Sequence, residues 1–188
     1  MPDAPQQRHL LDKAGMAACI ERMAEEICAA HAGAKTLALV GVHKRGVPLA
    51  QRLARAMQTK PNCQVHVGTI DITQYRDDLK TMDVLPKLEG SDIPFDVNDV
   101  HVVLCDEVLY TGRTIRAALD ELLDHGRPAR VQLAVLVERA GREFPIQPDY
   151  VGIHAEAAPE ERVRVRFEEV EDDGTDKVFI ETSSLQEV

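Results

Sequence analysis

The run VVLCDEVLYTGRT, Val102 to Thr114, decides how this chain folds. Four mostly apolar residues, Val102, Val103, Leu104 and Cys105, lead straight into adjacent carboxylates, Asp106 and Glu107. The pattern is that of a buried strand delivering paired negative charge to its exposed end. A hydroxyl-rich turn centred on Gly112 follows, after which Ile115, Leu119 and Leu122 repeat at helical spacing. Strand, turn and helix in this order set a helix N-terminus beside the acid pair. Inward amides and a positive helix end favour a phosphate, whereas two carboxylates suit ribose hydroxyls, a metal ion or a developing cation. A sugar phosphate asks for both. Alone, the acid pair also reads as a solvated strand end, and T-G-x-T as a hydroxyl-capped helix start; the combination is specific.

Outward from this run, TLALVGV (Thr36 to Val42) and VQLAVLV (Val131 to Val137) are further short apolar strands. A first helix is expected from about Asp12 to Ala30, with Met16, Ile20, Met23 and Ile27 on one stripe. A second starts near Pro48, whose missing N–H costs nothing in a first turn. Gln64 to Tyr75 is rich in β-branched residues and reads as a longer strand. Arg76 to Phe95 mixes charge, two prolines and one glycine without periodicity, a composition typical of a functional or mobile loop. Gly126 and Pro128 end the helix that follows the acid pair.

Near-continuous apolar strands alternating with amphipathic helices imply an α/β fold whose parallel sheet is covered on both faces. Ligands of such sheets bind at the carboxyl ends of the strands. The loop HKRG, His43 to Gly46, falls there too, so Lys44 and Arg45 are either solvated cations or pyrophosphate ligands. The tail departs from the pattern. RVRVRFEEV alternates strictly, DDGTD supplies a turn and KVFIE returns, which together read as a C-terminal β-hairpin.

A chain of 188 residues suits one domain. A net charge of −10 is a poor match for neutralising nucleic-acid phosphates. The start of the chain lacks the apolar core of a secretory signal, and no stretch nears the roughly 20 apolar residues of a membrane helix. A cytoplasmic protein with no membrane partner is expected. Cys19, Cys28, Cys63 and Cys105 show neither C-x-x-C nor metal-ligand spacing and are expected to be reduced thiols.

VVLCDEVLYTGRT resembles the 5-phosphoribosyl-1-pyrophosphate (PRPP) signature of type I phosphoribosyltransferases. LVGVHKRGVPLAQRLA, GTIDITQYRDDL, GSDIPFDV, GRPARVQLAVLVERAGREFPI and PDYVG resemble, in order, the PyrR family of pyrimidine-operon regulators with uracil phosphoribosyltransferase activity. The resemblance implies a single domain over residues 1–188, a mobile loop over about 76–95, and a hood over about 138–160 with the N-terminal region. It implies an assembly built from dimers, either a homodimer or a tetramer. Catalysis falls to Asp106, Glu107 and Arg76, and Tyr75 and Arg76 open the mobile loop. PRPP is held by Lys44, Arg45, Asp106, Glu107, Val108, Leu109, Tyr110, Thr111, Gly112, Arg113 and Thr114. Glu138, Arg139, Tyr150, Val151 and Gly152 form the base pocket, the last two through backbone groups. Mg2+ bridges pyrophosphate and ribose oxygens, reached by Asp106 and Glu107 only through ribose or water. The implied reaction converts uracil and PRPP into UMP and pyrophosphate; an RNA-binding attenuator and a purine-base phosphoribosyltransferase are the alternatives.

The chain departs from the family pattern in several places. Glu107 stands where a second aspartate is usual, Gly141 where a histidine is, and Gln147 where an arginine is. The stretch GIHAEAAPEERV lacks the family's Lys-Asn and Pro-Thr-Ser elements. Glu21, Glu25 and Ala30 stand on the first helix where RNA-binding members carry polar and basic side chains, although Arg142 is retained. Acids facing RNA phosphates repel them, so RNA is the less favoured partner.

Overall fold

A computed structural model of the chain describes residues 7–34, 36–60, 65–75, 90–171 and 173–182. Its centre is a five-stranded parallel sheet in the order β3-β2-β4-β5-β6, formed by β2 (Leu37–Val42), β3 (His66–Ile70), β4 (His101–Leu109), β5 (Arg130–Arg139) and β6 (Tyr150–Ala155). Helices α1 (Lys13–Ala30) and α2 (Gly46–Gln58) cover one face, while α3 (Arg113–Asp124) packs on the other. The expected parallel sheet with helices on both sides is what forms.

Each helix follows from its apolar stripe. Met16, Ile20, Met23 and Ile27 of α1 meet Leu49, Leu53 and Met57 of α2 in one core. Ile115, Ala118 and Leu122 of α3 bury against Val102, Leu104 and Val135 in the other. Asp12 caps α1, its carboxylate accepting the Gly15 N–H at 2.8 Å, a contact worth about 1 kcal/mol.

A second, antiparallel sheet runs β1-β8-β7, from β1 (Gln7–Leu11), β7 (Glu161–Arg166) and β8 (Lys177–Thr182). β7 and β8 are the expected hairpin. Arg52 of α2 fastens it to the core, pairing with Asp176 and Glu169 at 2.7 and 2.6 Å and lying over the Phe167 ring.

Several expectations need correcting. Of the segment assigned to a hood with the N-terminal region, residues 138–139 and 150–155 belong to β5 and β6 of the main sheet, and the small sheet is built from residues 7–11, 161–166 and 177–182. Neither β1 nor β6 was expected as a strand. The strand expected over Gln64 to Tyr75 is cut to five residues, with a 3-10 turn at Thr73–Tyr75. Cys28 is disulfide-bonded, its partner lying outside the described residues, whereas Cys19 and Cys105 are free thiols. Spacing along the chain cannot reveal which thiols the fold brings together. The mobile loop expected over 76–95, Arg76 included, lies mostly outside the described residues. Among the described residues no helix is long and apolar enough to cross a membrane.

Candidate active site

The acid pair sits inside a strand rather than at its tip. β4 continues through Val108 and Leu109, with Asp106 opposite Val135 and Leu109 opposite Glu138 on β5. The other flank changes partner at this point. Pairing with β2 ends at Gly41 and Cys105, and the start of α2 takes over. A Cβ on Gly46 would lie 2.2 Å from the Cys105 carbonyl oxygen and 3.2 Å from Asp106 Cα. Only glycine fits so close to the β4 backbone, so the loop His43–Arg45 is held against the acid pair. The peptide between His43 and Lys44 is cis.

Asp106 is only 4% exposed and Glu107 is half-buried, so the strand does not carry the pair to an exposed end as its pattern suggests. Burial, followed by the neighbouring Glu107 charge, pushes the Asp106 carboxyl well above its ordinary range. Its carboxylate accepts the Glu107 backbone N–H at 3.0 Å. A buried acid beside a second carboxylate favours a cation or a group of hydroxyl donors.

The turn after β4 supplies the opposite polarity. Gly112 adopts φ 93° at the N-cap of α3, where glycine has no side chain to cap the helix. The turn is braced from behind. Thr111 O accepts the N–H groups of Glu143 and Phe144 at 2.9 and 3.0 Å, and Arg142 donates to the Tyr110 carbonyl. The Arg113 guanidinium turns outward to Glu143 (2.6 Å) and over the Phe144 ring, and its backbone N–H donates to Thr111 Oγ1 at 3.3 Å. Gly112→Val puts a β-branched residue at positive φ, with its Cβ about 3.1 Å from Phe144 Cβ. It is expected to abolish PRPP binding in a calorimetric titration while the circular dichroism spectrum is kept. Undiminished binding by the variant would remove the loop from the phosphate site.

The remaining expected residues divide. Arg45 lies in the loop beside the acid pair, bound to Glu171 at 2.8 Å, and Lys44 is exposed there. Val108 is half-buried and Leu109 fully buried, so Leu109 can offer a ligand only its backbone. The Tyr110 ring is stacked under Arg139, 4.2 Å from guanidinium carbon to centroid. A Cβ at position 141 would fall 2.3 Å from that ring, which accounts for glycine in place of the family's histidine.

On β5, Glu138 holds Arg142 at 2.7 Å and His154 at 3.1 Å. Arg139 is 5% exposed and donates to the carbonyls of Ala158 and Glu161 (both 2.7 Å), so it ties the small sheet to the core. Tyr150, Val151, Gly152 and Tyr75 make their contacts elsewhere. Tyr150 lies at the start of β6, toward the opposite end of the sheet, its hydroxyl near His31 and Gln132. The carbonyls of Val151 and Gly152 accept Arg22 of α1 at 2.9 and 2.6 Å. Tyr75 turns its hydroxyl to Asp124 at the far end of α3, and its carbonyl accepts Arg116 at 2.7 Å. Residue type and order assigned these groups, and neither reveals the direction in which a side chain leaves its strand.

Sequence reasoning also passed over Gly46, Phe144 and His154 as site residues. The glycine ending HKRG was a usable signal for the first. The other two emerge only from the path of residues 140–149 back over the Tyr110–Gly112 turn.

A strand bearing buried acids, a helix N-terminus and a glycine-clamped cationic loop at one sheet edge define a protein of the phosphoribosyltransferase class. Residues 6–168 match the phosphoribosyl transferase domain family, and the chain belongs to its PyrR branch. It is 49% identical over 174 residues to a bifunctional protein PyrR of Roseiflexus, covering 93% of this chain and 94% of the relative. A bifunctional protein PyrR 1 of Lactiplantibacillus plantarum is 47% identical over 176 residues, covering 93% and 97%. Among solved structures, a hypoxanthine phosphoribosyltransferase of Trypanosoma cruzi superposes with a TM-score of 0.70 at 19% identity, covering 93% of this chain and 96% of that one. A hypoxanthine-guanine phosphoribosyltransferase from Bacillus anthracis gives a TM-score of 0.61 at 18% identity, covering 81% of this chain and 85% of that one. These two likenesses concern the fold.

Proposed function

We propose that this chain is a magnesium-dependent uracil phosphoribosyltransferase of the PyrR type, making UMP and pyrophosphate from uracil and PRPP. The observation that carries this reading is the buried Asp106, its carboxyl pushed upward, within the same strand–turn–helix as the α3 N-terminus. Thr111 to Thr114 take the 5′-phosphate through backbone N–H groups and hydroxyls. Asp106 and Glu107 accept hydrogen bonds from the ribose hydroxyls. Their charge offsets positive charge on the anomeric carbon as its bond to pyrophosphate breaks and the bond to uracil N1 forms. The N1 proton leaves to solvent. Lys44 and Arg45 border the departing pyrophosphate, and Val108 to Tyr110 line the sugar side through their backbone.

The donor set suits Mg2+, since two carboxylates that repel one another welcome a hard cation. No three His, Cys, Asp or Glu side chains converge among the described residues. Asp106 and Glu107 would hold such an ion indirectly, through substrate or water, and it would neutralise developing charge. Positioning and fixed electrostatics supply the rate, without a covalent intermediate. Arg76, which lies outside the described residues, is assigned to this machinery on the family resemblance alone. Glu138, paired with His154 at 3.1 Å, is assigned to the base edge. The working unit is a homodimer or tetramer in the cytoplasm.

The test is pyrophosphate release with PRPP, Mg2+ and each base in turn. Uracil is expected to react; turnover of hypoxanthine or guanine in its place would replace the substrate assignment. RNA is the less favoured partner. Glu21 and Glu25 share Lys60 on the outer side of α1, and hairpin arginines 164 and 166 are paired with Glu181 and Asp173. A gel shift with pyrimidine-operon leader RNA is expected to show no submicromolar complex at physiological salt. Such a complex would install the regulatory reading.

A further inference from the structure

Two arginines grip the segment between β7 and β8, and they do so with different firmness. Arg45 is the N-cap residue of α2, and Arg52 lies two turns further along nearly the same helix face. The Arg52 side chain is 14% exposed and holds Glu169 and the buried Asp176 at 2.6 and 2.7 Å. The Arg45 side chain is 40% exposed and gives both Nε and Nη2 to a single oxygen, Glu171 Oε1, at 3.0 and 2.8 Å. Glu171 is fixed by its own turn. Its N–H donates to the Phe167 carbonyl at 3.0 Å, its carbonyl accepts the Gly174 N–H at 3.1 Å, and the buried Phe167 ring lies under Arg52. We propose that Glu171 is a positioning residue for the reaction, occupying Arg45 as a pyrophosphate oxygen would and so setting how readily pyrophosphate is taken up and let go. The inference rests on the reading of Lys44 and Arg45 as the pyrophosphate loop.

A guanidinium presents its donors in a rigid fork, and the edge that meets a carboxylate is the edge that meets a phosphate. The two anions therefore compete for Arg45. Gly46 follows it directly and is clamped against the β4 backbone, so the exchange falls to the Arg45 side chain and not to the loop as a whole. Glu171 offsets the Arg45 charge until a more highly charged pyrophosphate displaces it. Apparent affinity is scaled down by the fraction of molecules in which Arg45 is released. The same competition helps the product leave, a step that limits turnover in many enzymes. Arg52 keeps the hairpin seated while the outer pair opens.

The test is calorimetric titration of the full-length protein with pyrophosphate in Mg2+. Glu171→Gln should bind it about fivefold more tightly than the wild type, the scale of one partly exposed ion pair, and the gain should shrink in about 1 M salt. The KM for PRPP should fall by a similar factor without a rise in kcat. UMP affinity should not change, since that nucleotide carries no pyrophosphate. Glu171→Asp, which retains the charge, should return toward wild-type values. Arg45→Gln should weaken pyrophosphate binding, and adding Glu171→Gln to it should bring no tightening. A merely structural Glu171 gives the opposite sign, because a loosened hairpin lowers affinity. Pyrophosphate bound no more tightly by Glu171→Gln than by the wild type, with Arg45→Gln still weakening it, would overturn the proposal and leave the loop assignment standing. Pyrophosphate affinity unmoved by Arg45→Gln would overturn both.

Discussion

Asp106→Asn is expected to lower kcat/KM for PRPP at least about a hundredfold, the scale seen when one fixed electrostatic group is lost, without loss of the fold. Asn keeps the shape and can still accept the Glu107 N–H, but it no longer opposes positive charge at the anomeric carbon. Stability should move the other way. Asp106 is buried beside Glu107 and its carboxyl is pushed upward, so the folded state holds its proton more tightly than the unfolded state does. Linkage then lowers wild-type stability as pH rises from the ordinary carboxylate range toward the raised folded value, and the penalty persists above it. The Asn variant lacks that penalty. Its Tm should equal or exceed that of the wild type at neutral pH, with a gap that closes in acid.

The same proton governs binding. PRPP with Mg2+ prefers ionised Asp106, so wild-type affinity should rise with pH through the raised titration, while the Asn variant responds less. Calorimetric titrations over a pH series, with thermal melts in the same buffers, measure both. Full activity in Asp106→Asn, or a variant less stable than the wild type at neutral pH, would remove Asp106 from its assigned role.

Gly46→Ala, a single methyl group, is expected to act almost as strongly. That methyl would sit 2.2 Å from the Cys105 carbonyl oxygen and 3.1 Å from its carbon. Its neighbours are main chain on a central strand rather than a side chain that can swing away. Overpacking of this kind costs typically about 1–3 kcal/mol, which should appear as a lower urea midpoint at unchanged slope. The functional loss should exceed the loss of stability. The loop bearing Lys44 and Arg45 must retreat from Asp106, and a displacement of about 1 Å can cost about a hundredfold in rate. A variant with wild-type midpoint and wild-type PRPP affinity would show that the loop does not depend on this contact.

Much of the fold is legible locally. The α1 stripe from Met16 to Ile27 and its Asp12 cap, the apolar runs of β2, β4 and β5, and the arginine alternation of β7 each announce an element within about ten residues. The acid pair, the turn and the α3 start are contiguous, so their chemistry can be read from Val102 to Thr114 alone. β1 and β6 escaped because each is short and packs as an edge strand. Their apolar residues fit no period long enough to separate strand from loop.

Residue types and their order in one chain were enough to assign the parallel sheet and the family, because each rests on short-range periodicity or contiguous motif. Which side chains actually meet was decided by packing. The burial of Asp106, the turning of Tyr150 and Tyr75 away from the site, the use of Arg139 as a tie to the small sheet, and the pairing of Arg45 with Glu171 all depend on contacts between distant segments. Strand register and the direction of each Cα–Cβ bond determine those contacts, and no local pattern encodes them.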